Sequence, residues 1–274
     1  MLINNNNVVA LGGAQNALNR SQGALETTQE RLTSGQRVNR AADDAAGLAL
    51  INQFAAQITG NAQGGRNLSD GISMVQTAEA GVSQVSEAVQ RIRDLAVQSS
   101  SGTLSDSDRA ALQTETGALQ DQITQTIEGT AFNGTQLLGK NGELAIQAGA
   151  KAGDSLSVNT HDVQGQLNAF GFDSIDLSTS AGAASALKVL DQSSDYLSGI
   201  QGEFGATQNR FDAGIQNLTQ SNLNTAAAQS RIQDTDYALE AAAQARNQLR
   251  NEANIAMISQ ASRISSQFVS QLLA

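Results

Sequence analysis

Proline is missing altogether from this chain of 274 residues, where about one residue in twenty is usual. Proline breaks helix interiors, so its absence fits very long helices, and it also removes slow X–Pro isomerisation from folding. Cysteine is absent too, which excludes disulfides and thiolate metal sites without settling the compartment. Tryptophan does not occur and aromatics make up only 3%. Aromatic and large aliphatic side chains supply most of the buried area in compact cores, and the 40% hydrophobic share here is heavily alanine. There is no Lys/Arg cluster, and the net charge is −10, so nucleic acid is not an expected partner. No apolar run approaches the roughly 20 residues that span a bilayer, so membrane insertion is not expected. Met1–Asn7 has neither the basic stretch nor the apolar stretch of a cleavable signal peptide. No Gly-rich phosphate loop or nucleophile elbow is present, and the one histidine, His161, has no partner motif. No enzymatic activity, cofactor or metal is expected.

What is abundant is alanine, glutamine, asparagine and serine, which suit helices lying close together. Leu11, Leu18, Leu25 and Leu32 recur every seven residues, two helical turns, and therefore share one helix face. The positions between them (Ala14, Ser21, Thr28) are small or polar, so the stripe is thin; it suits covering a partner helix more than filling a core. The pattern breaks at Ser34-Gly35 and resumes near Asp44. From there to about Ser100, the positions Leu48, Ile51, Ile58, Leu68, Ile72, Val75, Val82, Val85, Val89, Ile92 and Ala96 form a second helix, with a 4-3 seam from Leu68 onward. About 57 residues at roughly 1.5 Å each make it near 85 Å long. Gly60, Gly64, Gly65, Gly71 and Gly81 fall inside it, each costing roughly 1 kcal/mol relative to alanine, so this helix needs neighbours.

Ser105 or Asp106 caps a third helix to about Glu128, folded back antiparallel after a short loop. Between about Ala131 and Ser180 the period changes to two. Asn133-Gly134 and Asn141-Gly142 are hairpin-type turn dipeptides, and Leu144, Ile146, Ala148, Leu156 and Val158 alternate with polar or small residues. Helical spacing returns near Gly182 (Leu187, Leu190, Leu197, Phe204, Phe211, Ile215, Leu218), in a helix expected to pack along the second one. A last helix spans about Tyr237 to Leu273. The expected fold is mainly α: a long antiparallel coiled-coil-like helical rod with a small β-hairpin region in the middle. Its expected divisions are residues 1–42, 43–180, 181–235 and 236–274.

Several multi-residue motifs are specific. Glu30-Arg31-Leu32-Thr33-Ser34-Gly35, Arg37-Val38-Asn39 and Asp43-Asp44-Ala45-Ala46-Gly47-Leu48 resemble the N-terminal signature of bacterial flagellins. So do Asp70-Gly71-Ile72-Ser73, Gln90-Arg91-Ile92-Arg93-Asp94-Leu95-Ala96-Val97-Gln98 and Phe132-Asn133-Gly134-Thr135. Gln208-Asn209-Arg210-Phe211 and Ser230-Arg231-Ile232-Gln233-Asp234-Thr235-Asp236-Tyr237 resemble the family's C-terminal signature. The resemblance implies a secreted subunit of the extracellular flagellar filament, exported unfolded by the flagellar type III apparatus and serving swimming motility. It implies terminal inner-core helices, outer-core long helices, and a short form without large outer domains. The implied partners are many copies of itself, the flagellar cap and hook-junction proteins, and an export chaperone at the C-terminal helix.

The self-assembly stripe is placed at Leu11, Leu18, Leu25, Leu32, Leu249, Ile264, Phe268 and Leu272. Gln90, Arg91, Leu95 and Glu115 resemble positions through which immunostimulatory flagellins engage Toll-like receptor 5; packing and surface salt links are the plainer reading. Asp43-Asp44, and Asp234 with Asp236, read as helix caps ahead of cation ligands, and His161 reads as a surface residue. Two other identities remain in view: a hook–filament junction protein, and a coiled-coil surface adhesin.

Overall fold

The computed structural model describes residues 2–273, and their side chains apart from 2–10, 265 and 268–273. Among the described residues there are six α-helices: α1 (Leu2–Ser34), α2 (Ala45–Ser99), α3 (Asp106–Gly129), α4 (Val163–Phe170), α5 (Ser180–Gln233) and α6 (Tyr237–Leu273). Between α3 and α4 run four strands, β1 (Ala131–Phe132), β2 (Thr135–Gln136), β3 (Gly139–Gln147) and β4 (Ser155–Asp162). The chain divides into a terminal unit, residues 1–56 and 224–274, and a central unit, residues 57–223.

In the central unit, α2, α3 and α5 close an apolar core. Ion pairs and hydrogen bonds join Arg93 to Asp191, Glu79 to Gln208 and Asn61 to Ser221; one number rises as the other falls, so α2 and α5 are antiparallel. The four-three seam of α2 (Leu68, Val75, Val82, Val85, Val89, Ile92, Ala96) is buried against Leu190, Leu197, Phe204 and Phe211 of α5 and Ile123 and Ile127 of α3. Each large apolar side chain so buried contributes roughly 1.5–3 kcal/mol. At the α2–α3 turn the buried guanidinium of Arg109 donates to the carbonyls of Ser99, Ser101 and Leu104, satisfying the last carbonyl of α2, which lacks a helical partner, and two carbonyls of the connecting loop. Helix α3 starts on a capping box: the Ser105 hydroxyl accepts from the Asp108 amide, and the Asp108 carboxylate accepts from the Ser105 amide.

The glycines of α2 have a packing reason. A Cβ at Gly64 would lie 2.7 Å from the Ala148 backbone, and one at Gly71 would lie 2.5 Å from Ile146 Cδ1 and 2.8 Å from Phe211. Chain β3 and its following turn rest directly on the helix there, an approach that a side chain would block.

Asn133-Gly134 forms the β1–β2 turn with both residues in the left-handed region (φ 47° and 80°), as expected of this dipeptide. Asn141-Gly142 does not form a turn. It lies inside β3, where the β3–β4 register shifts between Gly139 and Gly142, and the Asn141 side chain accepts from the Asp162 amide at 2.8 Å. A bulge takes up the irregularity there, and the β3–β4 connection is made later, through Ala148–Asp154, with Gly153 at φ 92°. A short helix interrupts the region read as β throughout: Asp162 caps α4 through the Gly165 amide, and Gly171 ends it at φ 93°. His161 is half-buried. Its ring packs edge-on against Phe204, and Nε2 lies 3.3 Å from the Glu203 carboxylate, close enough for an ion pair when the ring is protonated but not aligned as a hydrogen bond.

Candidate functional site

The terminal unit is built on a different principle. Helices α1 and α6 pair along their length, yet the buried residues of the seam are polar. Ser21 and Thr28, seven apart on α1, are buried, while the leucines beside them (Leu11, Leu18, Leu25, Leu32) are only half-buried. Opposite them stand Asn247, Asn251 and Asn254, spaced four and three on α6. Asn247 Nδ2 donates to the Thr28 hydroxyl (3.2 Å), the Ser21 hydroxyl to the Asn247 carbonyl (3.4 Å), and Asn254 Nδ2 to the Ala17 carbonyl (3.4 Å). Asn251 Oδ1 and Arg31 Nε are buried without a hydrogen-bond partner. Such a seam gains little: a made hydrogen bond nets roughly 0.5–1.5 kcal/mol, and a buried unmade one costs about as much or more.

The large apolar side chains of α6 face elsewhere. Leu239, Leu249, Met257 and Ile264 lie off the line of the asparagines, Leu249 nearly opposite it and the other three about a quarter-turn away, and each is exposed, Leu249 and Met257 at 66%. Ile255 is exposed as well. The side chains of Phe268 and Leu272, the remaining stripe positions on this helix, lie outside those described. An exposed apolar stripe of this length marks an interaction surface.

The junction between α1 and α2 is ordered by the chain just before α6. Gly35 ends α1 at φ 71°. The Arg37 amide donates to the Gln233 carbonyl (2.6 Å), the Arg37 guanidinium to the Ile232 carbonyl (2.7 Å), and the Thr235 amide to the Gly35 carbonyl (3.0 Å). The two signature stretches at opposite ends of the sequence are therefore hydrogen-bonded to one another. Asp44 caps α2 through the Gly47 amide, and Asp236 caps α6 through the Ala238 and Leu239 amides. Asp43 accepts from the Arg40 and Asn39 amides, and these bonds, the first of them foremost, hold its carboxyl below the usual range. Asp234 accepts from the Ser230 hydroxyl.

Charge separates the units as sharply as burial does. Residues 1–56 and 224–274 carry eight basic and eight acidic side chains; residues 57–223 carry eight and eighteen. The whole net charge of −10 thus belongs to the central unit. A neutral surface lets identical copies approach without the repulsion that a charged one builds up.

Within the central unit, Asp70 and Gly71 of α2 and Phe132, Asn133 and Thr135 of the first hairpin line one groove of about 400 Å³, so two further signature motifs meet. Arg91 and Glu115 meet on the α2–α3 surface, with the Arg91 guanidinium on Glu115 at 2.8 Å, whereas the exposed Gln90 lines a groove with Arg93 and Asp94 of α2 and Asp191, Ser194 and Asp195 of α5. Leu95 does not join them: at 2% exposure it lies in the core beneath. Sequence spacing alone had no means of separating Leu95 from Arg91, because a four-residue step turns a helix far enough to move a side chain from rim to core when the neighbouring helix covers only one side.

The bacterial flagellin N-terminal helical region matches residues 3–143, and the flagellin C-terminal helical region matches residues 187–273. The chain belongs to the bacterial flagellin family. It is 37% identical to a flagellin of Halalkalibacterium halodurans over 99% of this chain and all of the relative, and 34% identical to a flagellin of Bacillus subtilis over 94% and 96%. Among solved structures, a Bacillus cereus flagellin superposes with a TM-score of 0.50 at 28% identity, covering 60% of this chain and 94% of that one. A putative flagellar hook-associated protein from Vibrio parahaemolyticus shares the fold alone, at 17% identity and a TM-score of 0.59 over 70% of this chain and all of that one. This flagellin is a structural subunit of the filament, and its length matches the Halalkalibacterium relative from end to end, in keeping with a short form that lacks large outer domains.

Proposed function

We propose that copies of this chain polymerise head to tail into a flagellar filament for swimming, and that α1 and α6 complete their folding only as neighbouring copies cover them. The single observation behind this reading is the inverted design of the terminal unit, with its polar seam inside and Leu239, Leu249, Met257 and Ile264 outside. Isolated helices are marginal in water, and a polar seam adds little to offset the entropy of ordering them. Burial of the outward side chains by another copy supplies what is missing, so that folding and subunit addition become one step. A head-to-tail contact that does not close on itself generates an open helix. On this reading residues 1–42 and 236–274 form the inner wall, and 43–180 with 181–235 the outer one. Before assembly the uncovered face of α6 suits an export chaperone; the cap and hook-junction proteins would meet the two ends of the polymer.

The test is Leu18→Asp or Leu25→Asp, added to seeds of wild-type filament. Electron microscopy is expected to show no elongation, while hydrogen exchange in the central unit stays at the wild-type level. Normal filaments from either variant would falsify the reading. Elongation well beyond a short ring also separates a filament subunit from a junction protein, and loss of polymerisation on removal of residues 1–32 separates it from an adhesin.

A second reading concerns the exposed Arg91–Glu115 pair, with exposed Gln90 on the neighbouring α5 side of α2, a surface that suits recognition of the free subunit by Toll-like receptor 5, with Leu95 in the core beneath. Arg91→Ala is expected to lower receptor signalling at least tenfold in a reporter assay, with a shift in unfolding free energy below about 0.5 kcal/mol, since exposed pairs contribute little. Unchanged signalling would remove this reading.

A further inference from the structure

We propose that Met257 is a methionine oxidation site whose conversion to the sulfoxide by a peroxide-class oxidant blocks subunit addition; the effect on addition rests on the polymerisation reading above. Two observations carry it. Met257 is exposed at 66%, whereas Met74 is buried in the central core at 7%. Met257 also sits among the exposed apolar side chains of α6, between Leu249 and Ile264, about a quarter-turn from the line of Asn247, Asn251 and Asn254.

The chemistry needs only an accessible thioether. The sulfur attacks one oxygen of hydrogen peroxide, an S–O bond forms as the O–O bond breaks, and after proton transfer the other oxygen leaves as water. Sulfur loses two electrons and the peroxide gains them. The product replaces a flexible apolar group with a polar, chiral one. On the free subunit this costs nothing, because water solvates the new S–O dipole. In a contact with another copy the dipole is buried with no donor provided for it, and an unsatisfied polar group opposes burial. The terminal unit gives oxidation little else to disturb, since its internal seam is made by Ser21, Thr28 and asparagines. The central core, with Met74 inside, keeps its packing.

The experiment treats dilute full-length subunit with hydrogen peroxide, maps the product by peptide mass, and measures the critical concentration for growth on wild-type seeds. Met257 is expected to gain one oxygen well before Met74, and the critical concentration to rise about tenfold or more. Met257→Leu, treated identically, should elongate as before treatment, which separates position 257 from Met1. Met257→Gln should reproduce the defect without oxidant, and methionine sulfoxide reductase should restore the treated wild type. Oxidation of Met74 as fast as Met257, or sulfoxide at 257 with unchanged growth, overturns the proposal. If untreated wild type fails to elongate at all, it is the polymerisation reading that falls, and the assembly effect goes with it.

Discussion

Among the described residues, twenty-eight apolar side chains are buried in the core of the central unit, and two, Val38 and Ile51, in the terminal unit. The exposed large apolar residues run the other way: seven of nine (Leu50, Tyr237, Leu239, Leu249, Ile255, Met257, Ile264) belong to the terminal unit. The central unit carries the whole net negative charge, and in the terminal unit the basic and acidic side chains balance. Each part thus solves one half of a problem. A region that buries its apolar surface within one chain can hold its shape alone and remain soluble through its charge. One that leaves that surface outside, at zero net charge, has its stability set by the concentration of other copies.

The contrast breaks most visibly under a core deletion. Phe211→Ala, at a side chain with no exposure packed beside Gly71 of α2, is expected to cost the central unit about 3–5 kcal/mol in urea unfolding. Protection of α1 and α6 amides in the subunit should hardly move. Equal losses in both regions would mean that the terminal helices draw their order from the central core.

A smaller change sharpens the same point from the other side. Asn251 carries a buried amide oxygen without a partner. Asn251→Leu is expected to stabilise the α1–α6 pair by about 1 kcal/mol, read as a several-fold slowing of amide exchange in α6 of the dilute subunit. No slowing would show that the polar seam is not what keeps the terminal helices marginal.

The least effect comes from acid. Asp43 in the terminal unit and Asp108 in the central one both have carboxyls held below their ordinary value of 3.8, the first chiefly by the Arg40 amide, the second by the Ser105 hydroxyl and amide. A lowered folded-state pKa stabilises above the unfolded value, and that contribution is lost as pH falls through the folded one. Stability is therefore expected to be flat with respect to these two groups down to about pH 4 and to decline below it. Asp108→Asn should flatten the acid decline at the start of α3 in a urea-midpoint series, leaving the α1–α2 junction unchanged.

Much of the fold was legible beforehand because helices announce themselves locally. The seven-residue beat of Leu190, Leu197, Phe204 and Phe211 marked the buried face of α5, the seam from Leu68 marked that of α2, and Ser105 marked the start of α3 within one residue. Asn141-Gly142 misled because the dipeptide is read by its own conformational preference, while the strand pairing around it turned a turn signal into a bulge. Helix α4 escaped because eight residues with Val163 and Leu167 as their buried pair are too short to establish a period. Leu95 and Arg91 looked alike as members of one motif until the covering helices put one in the core and the other at the rim.

By itself the sequence determined the long uninterrupted helices, through the absence of proline and the spacing of leucine, isoleucine and valine, and it carried the family signatures. Tertiary structure alone decided which face of each terminal helix turns inward. Periodicity says that Leu249 and Asn247 lie on different sides of α6; only the position of α1 shows that the asparagines meet a neighbour while the leucine is left to solvent. The physical reason is that a hydrophobic pattern records that a surface must be covered, whereas which molecule covers it depends on where the rest of the chain has gone.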